Sequence, residues 1–434
     1  MEHQSQALQI AQARQTLDNP SVFIRSVTDL ADRRDIVASE DIYARGGMKL
    51  VRSGTKLSGN FYERLVAHKL LKPIEKSITV ADASGVAEVI AMAHATAQRI
   101  PSLQPLLGDS MLERLGNLLS GVTHPAALAT KMTVMQEERP RLFEHSLIVA
   151  TVSMVLGIRG EMSPKELRAL ALASFYHDIG ELYIDPDIFT PTKPMSMEER
   201  RHLYVHPISG YLLLREFNEL PAETALAVLQ HHERLDGTGY PYRLTAESMS
   251  RVSRYLAVAE VAASLIERQG ADRRIGIKFR MNVKKYDAQA ITLISGLFGA
   301  TEPPVEARFD EHRLFERLEQ LGHVFAEWQT FLGTCQASDL EAIEPVVNRL
   351  DSLRMMVLEP GFDQCHLEGI LSIGGVPDPQ ICTELTALLD ELDWHFQALS
   401  RGVERDRLVW GMQVPQNIRP AFDAWMERVR AYLA

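Results

Sequence analysis

Between about residues 126 and 300 the pattern is helical throughout, and three of the runs open on a helix-start signal. Ser163 stands at an N-cap position with Pro164 behind it, Ser196 and Glu199 have capping-box spacing, and a further helix begins near Pro221. The helices expected here run near 142–158, from Ser163 to before Gly180, from Ser196, from Pro221 to His231-His232, and from about Arg251 to Arg268. This part is therefore read as all-helical.

Strand-like runs occur in 38–60, broken by Gly46-Gly47 and Ser53-Gly54. They predict a small β-containing unit closed by a helix over Tyr62 to Leu71. Residues 1–36 are polar and read as partly helical, with further helical patterns at 84–99 and 110–120. The stretch GATEPPVEARFDE reads as a linker, and helical patterns resume beyond it. Leu314, Leu318, Leu321, Phe325 and Trp328 form one stripe, and Leu385, Leu388, Leu392, Phe396 and Leu399 another. Both are read as bundle core in preference to the seam of a homodimer. The expected fold is mainly α. It comprises a 1–80 region with the small β-containing unit, a helical connector over 81–125, a helical domain over 126–300, a linker over 301–311, and a C-terminal helical domain over 312–434.

Composition narrows the function classes. A chain of 434 residues exceeds one ordinary core. With 46% hydrophobic and 24% charged residues it reads as globular. The net charge of -11 argues against general nucleic-acid binding or an anionic membrane surface, while leaving room for a local basic pocket. The apolar stretch Leu147 to Ile158 is short for a membrane span, and the first residues lack the pattern of a signal peptide. Cys335, Cys365 and Cys382 are widely spaced and odd in number, which suggests free thiols and a cytoplasmic location.

Six of the 14 histidines fall between 145 and 232: His145, His177, His202, His206, His231 and His232. A lone histidine is more often a core or surface residue than a ligand. Position changes that balance here. His145 opens an apolar helix, His177-Asp178 ends another, His206 precedes Pro207, and His231-His232 ends a third. Imidazoles and carboxylates at helix ends can converge between helices on zinc, manganese or iron. A carboxylate such as Asp178 can bridge two ions. His202 shares a helical face with His206 and is read as a surface residue.

The segments EHS, HDIG, VHPISGY, HHERLDGTGYP and YLAVAEVAASL, in that order, resemble the motifs of HD-GYP domains, a subgroup of the HD superfamily of metal-dependent phosphohydrolases. The resemblance covers about 126 to 300, and the segment ahead of it is similar to the small N-terminal domain often found before HD-GYP domains. It implies an HD-type bundle and hydrolysis of cyclic di-GMP by two-metal activation of water, with iron, manganese or similar ions. The implied ligands are His145, His177, Asp178, His206, His231, His232 and Glu260, and Asp178 is also the implied catalytic residue. Tyr240 of the Gly239-Tyr240-Pro241 loop, Lys193, Arg274 and Lys278 are the expected substrate contacts, with Arg273 and Arg280 nearby. A diguanylate cyclase is a conceivable partner, and no membrane is expected.

Four positions depart from the family pattern. Glu260 replaces an aspartate. Arg141 stands where members with three metals have a glutamate, which favours two ions, and Ile148 replaces a frequent arginine. Glu181 replaces the lysine of the usual HDxGK motif. It is read as a surface acid, as a neighbour or extra ligand of the metals, or as a mark of lost phosphodiesterase activity. The rival to the enzyme is a catalytically weak or inactive module that binds a nucleotide or a signalling partner, and a third reading keeps the hydrolase with another phosphoester as substrate. Glu233 and Asp236 are read as scaffold.

Overall fold

The computed structural model describes residues 2–18, 20–83, 85–100, 103, 117–118, 125–189, 197–269, 274–299, 311–358, 379–405 and 414–433. It is mainly α and divides into two compact units, Met1–Ala271 with Lys284–Ile294, and Asp272–Val283 with Ser295–Ala434. The linker expected at 301–311 and most of the helix expected at 110–120 lie outside the described residues.

The first unit opens with α1 (Glu2–Asp18) and α2 (Ser21–Ala31). Then come four short strands, β1 (Ile36–Ala38), β2 (Ile42–Tyr43), β3 (Lys49–Val51) and β4 (Ile78–Val80). β1 pairs antiparallel with β4, Ile36 opposite Val80, and β2 pairs antiparallel with β3. The helix expected over Tyr62 to Leu71 ends earlier, as α3 (Tyr62–Val66). The backbone beyond it turns back to pair, Leu71 N–H donating to Tyr43 O at 2.8 Å and Arg45 N–H to Lys69 O at 2.8 Å. Strand-like pairing there outcompetes local helix propensity.

The helical part of this unit runs through α4 (Val86–Gln98), α5 (Ala126–Glu138), α6 (Pro140–Arg159), α7 (Pro164–Tyr176), α8 (Met197–Tyr204), α9 (His206–Leu214), α10 (Ala222–Gln230) and α11 (Arg251–Gln269). α7 starts with a complete capping box: Ser163 Oγ accepts from Glu166 N–H at 3.3 Å, and Glu166 Oε2 accepts from Ser163 N–H at 2.9 Å. α6 is long and apolar enough to cross a membrane by length and composition, yet 72% of its apolar window is buried. It packs against α7 and α11 as the central helix of the core.

The second unit contains α12 (Arg274–Met281), α14 (Glu311–Leu332), α15 (Ala337–Ala342), α16 (Glu344–Leu358), α17 (Pro379–Arg405) and α18 (Arg419–Leu433); α13 (Ala288–Gly299) straddles the division. Its core takes in both apolar stripes, with Phe325 partly buried against it. Trp425 donates its indole N–H to Val324 O at 3.0 Å, which satisfies the polar atom of a buried ring. Cys335 and Cys382 are free thiols, and Cys365 lies outside the described residues.

Candidate metal centre

The ends of α7, α9 and α10 meet the flanks of α6 and α11, and each contributes a side chain. His145 lies in the second turn of α6. His177 caps the C-terminus of α7 and Asp178 follows it. His206 opens α9, His231 caps α10, and Glu260 lies midway along α11. Three of the histidines use the same local device. His177 Nδ1 lies 2.9 Å from Ser174 O, His206 Nδ1 2.6 Å from Leu203 O, and His231 Nδ1 2.6 Å from Val228 O. A carbonyl only accepts, so Nδ1 carries the hydrogen in each ring. Nε2 is left with a lone pair for a proton or a metal.

Those Nε2 atoms converge on one carboxylate. His177 Nε2 lies 2.9 Å from Asp178 Oδ2 and 3.2 Å from Glu260 Oε2. His206 Nε2 and His231 Nε2 lie 3.2 and 3.5 Å from Asp178 Oδ1, and 3.2 Å from each other. All are buried, yet His177 Nε2 and Asp178 Oδ1 make no aligned hydrogen bond. Buried polar atoms are costly to leave unmatched. Imidazole nitrogens and carboxylate oxygens without thiolates suit a hard or borderline divalent cation. The donor atoms form two groups, Asp178 with His206, His231 and His232, and Asp178 with His145 and His177. Asp178 belongs to both and turns one oxygen toward each. The structure thus brings together all seven implied ligands.

Without a cation, protons partly fill the role. Burial opposes charge on His145, but the Glu260 carboxylate outweighs it and pushes that imidazole up to about 12. Burial likewise opposes charge on His177, while Asp178 and then Glu260 push it up to about 10. His231 and His232 are pulled down, first by burial. The charge of His177 holds Asp178 well below the usual carboxylate range against its burial, and that of His145 does the same for Glu260.

Two glycines let the surrounding chain close on the centre. The 3-10 turn Ile179–Tyr183 lies against α9. A Cβ at Gly180 would fall 2.2 Å from His206 O, so only glycine fits. In the loop after α10, a Cβ at Gly239 would fall 2.4 Å from Glu233 Cα. Glu233 anchors this loop by accepting from Tyr242 N–H at 2.6 Å and Leu244 N–H at 3.0 Å. Glu233 thus acts as scaffold through the loop amides, while the Nδ1 hydrogens of His177, His206 and His231 go to backbone carbonyls. Asp236 Oδ1 accepts from Thr238 N–H at 3.1 Å in the turn.

Glu181, part-buried, is not a member of either donor group. Loss of hydration and the charge of Asp178 push its carboxyl up to about 8, against the pull of His206, His177 and His145. It therefore sits within electrostatic reach of the centre. Tyr240 stacks on His232, with ring centroids 4.6 Å apart. Lys193 lies outside the described residues. Arg274 and Lys278 belong to the second unit, where Lys278 Nζ lies 3.9 Å from Glu391. His202 is exposed, and Glu144 turns away to pair with Arg99 at 2.7 Å.

Sequence reasoning missed two neighbours. Glu267 Oε2 lies 2.9 Å from His145 Nδ1. Its signal was its place seven residues, two helical turns, after Glu260. Tyr204, 46% exposed at the end of α8, packs on Tyr240 with centroids 4.7 Å apart. Nothing in the local pattern marked it.

Residues 130–285 match the HD domain family. A cyclic di-GMP phosphodiesterase of Pseudomonas aeruginosa is 30% identical over 142 residues, which is 33% of this chain and 34% of that protein. A cyclic di-GMP phosphodiesterase response regulator of Xanthomonas campestris is 33% identical over 125 residues, covering 28% of this chain and 33% of the relative. A 3'3'-cGAMP-specific phosphodiesterase of Vibrio cholerae is 28% identical over 183 residues, covering 41% of each. The chain thus spans between a third and two fifths of the length of these curated relatives.

Proposed function

We propose that this chain, an HD-GYP domain protein, is a metal-dependent phosphodiesterase that hydrolyses cyclic di-GMP at a centre holding two divalent ions, iron, manganese or similar. The observation that carries the reading is Asp178, whose two oxygens face two groups of imidazole nitrogens inside a buried site. Bound cations would supply an acidified water and neutralise phosphate charge there.

The chain's own residues have separable tasks. His177, His206 and His231 present Nε2 because their Nδ1 hydrogens are held by helix carbonyls. Glu260 closes the group of His145 and His177. Glu267 orients the His145 ring from its far side. Tyr240 borders the site on the His232 side, where it would meet the substrate. Lys193 is the proposed cation for a substrate phosphate.

The relatives' names support a cyclic dinucleotide in which one phosphodiester is opened by water. The test is chelator-treated protein reloaded with Mn²⁺ or Fe²⁺ and given cyclic di-GMP, with 3'3'-cGAMP alongside. The linear dinucleotide should form, and only with metal. Glu181 favours a second reading, a catalytically weak module that binds the nucleotide or a partner such as a diguanylate cyclase. Tight binding of cyclic di-GMP by fully loaded protein without turnover would select it.

A further inference from the structure

A second buried polar cluster includes Tyr183, the last residue of the turn that follows Asp178. Lys131 on α5 is 1% exposed, and lysine is almost never buried so fully unless paired. Its Nζ lies 2.5 Å from Glu75 Oε1 and also donates to the Tyr183 hydroxyl. Tyr183 in turn donates to Glu75 Oε1 at 3.1 Å. The ammonium lies over the Phe23 ring at 4.3 Å, and Phe23 stacks on Tyr183 with centroids 5.1 Å apart. Four segments meet there: α2, the 3-10 turn Ile74–Lys76 that leads into β4, α5, and the turn Ile179–Tyr183.

We infer that Lys131, Glu75 and Tyr183 are positioning residues for the metal centre, through which the N-terminal β-containing part of the first unit fixes the turn that follows Asp178 and carries Glu181. The turn is held at both ends of its short length. Gly180 lies flat against His206 O on one side, and the Tyr183 hydroxyl is bound by a buried ion pair on the other. A shift of Glu75 would move Tyr183, and only four residues lie between Tyr183 and Asp178, whose carboxylate is shared by both ligand groups. The inference rests on the two-metal reading of that carboxylate.

The test uses the full chain. Tyr183→Phe removes only the hydroxyl and keeps the ring stack. The pair Lys131→Met/Glu75→Leu replaces the charges with apolar groups of similar size, which guards against simple unfolding. Each should weaken Mn²⁺ binding by about tenfold, the low end of what removing a direct partner of a metal ligand costs, because these residues act through the turn and touch no ligand. Each should also speed amide hydrogen exchange in 179–184, and saturating Mn²⁺ should restore turnover. Adding Tyr183→Phe to the paired variant should cost nothing further, because its partners are already gone. Wild-type Mn²⁺ affinity and wild-type exchange in 179–184, whatever the thermal midpoint, would overturn the inference. If the wild-type protein binds no Mn²⁺, the metal reading falls, and exchange in 179–184 alone then decides whether the cluster holds the turn.

Discussion

Lys131, Glu75 and Tyr183 bury charge with every group answered by another, whereas among His145, His177, Asp178, His206, His231 and Glu260 the buried atoms His177 Nε2 and Asp178 Oδ1 find no aligned partner. The two clusters lie in the same unit, and the turn Ile179–Tyr183 links Asp178 of one to Tyr183 of the other. The first contains a donor for its acceptor, so a proton-level account closes. The second leaves two buried atoms unmatched and turns imidazole nitrogens and carboxylate oxygens toward one point, an arrangement that suits a cation. The difference sets a cluster that holds the turn apart from one whose donors suit a cation, and it can be tested by removing a member of each.

The largest effect is expected from Asp178→Ala. Loss of the shared carboxylate should abolish binding of both ions and lower kcat/KM by on the order of a thousandfold or more, about 4 kcal/mol. Metal analysis and steady-state kinetics check it; retention of both ions would remove Asp178 from its bridging role. Next comes Lys131→Ala, which strands Glu75 in the core and should destabilise the first unit by about 3–5 kcal/mol in denaturant unfolding. Replacing both members with Met and Leu should bring that cost below about 2 kcal/mol. No such rescue is expected at the metal centre.

A pH dependence should follow for chelated protein. His145 and His177 are raised, to about 12 and about 10, above the unfolded imidazole value of about 6.5. Their contribution to stability is therefore complete below about pH 6.5 and is lost as pH climbs through the folded values. Metal competes with the same protons, so its affinity should rise with pH. The thermal midpoint of chelated protein should fall between about pH 6.5 and 9, and the gap to loaded protein should widen. A chelated protein that grows more stable over that range would contradict the assignment. Glu181→Lys adds positive charge beside the centre and should weaken metal binding roughly tenfold without raising kcat/KM. A large gain in kcat/KM would favour the weak-module reading instead. The smallest effect belongs to the second unit: Arg317, paired with Asp390 at 3.1 Å and Asp393 at 2.7 Å near the surface, should cost at most about 1 kcal/mol on change to alanine.

What could be read beforehand was whatever lies at helix ends. His177-Asp178 after an apolar run, His206 before Pro207 and His231 after a third run are one-dimensional facts, and helix ends are where chains meet. The Ser163 cap was legible for the same reason. Lys131 and Glu75 are 56 residues apart, and neither segment marks the other. Glu267 carried a weak helical signal, whereas Tyr204 carried none. The helix expected to reach Leu71 stops at Val66 because residues 69–71 find backbone partners near β2, which no local propensity records. Composition likewise gave no sign that α12, inside the 126–300 stretch, would join the second unit, since that depends on Ile277 packing into its core.

The most direct measurement is the metal content of the full chain, purified without chelator and then reconstituted and desalted. Elemental analysis should find about two transition-metal equivalents per chain in the wild type and close to none in Asp178→Ala. Less than about one equivalent in the reconstituted wild type would contradict a centre in which one carboxylate serves two ions.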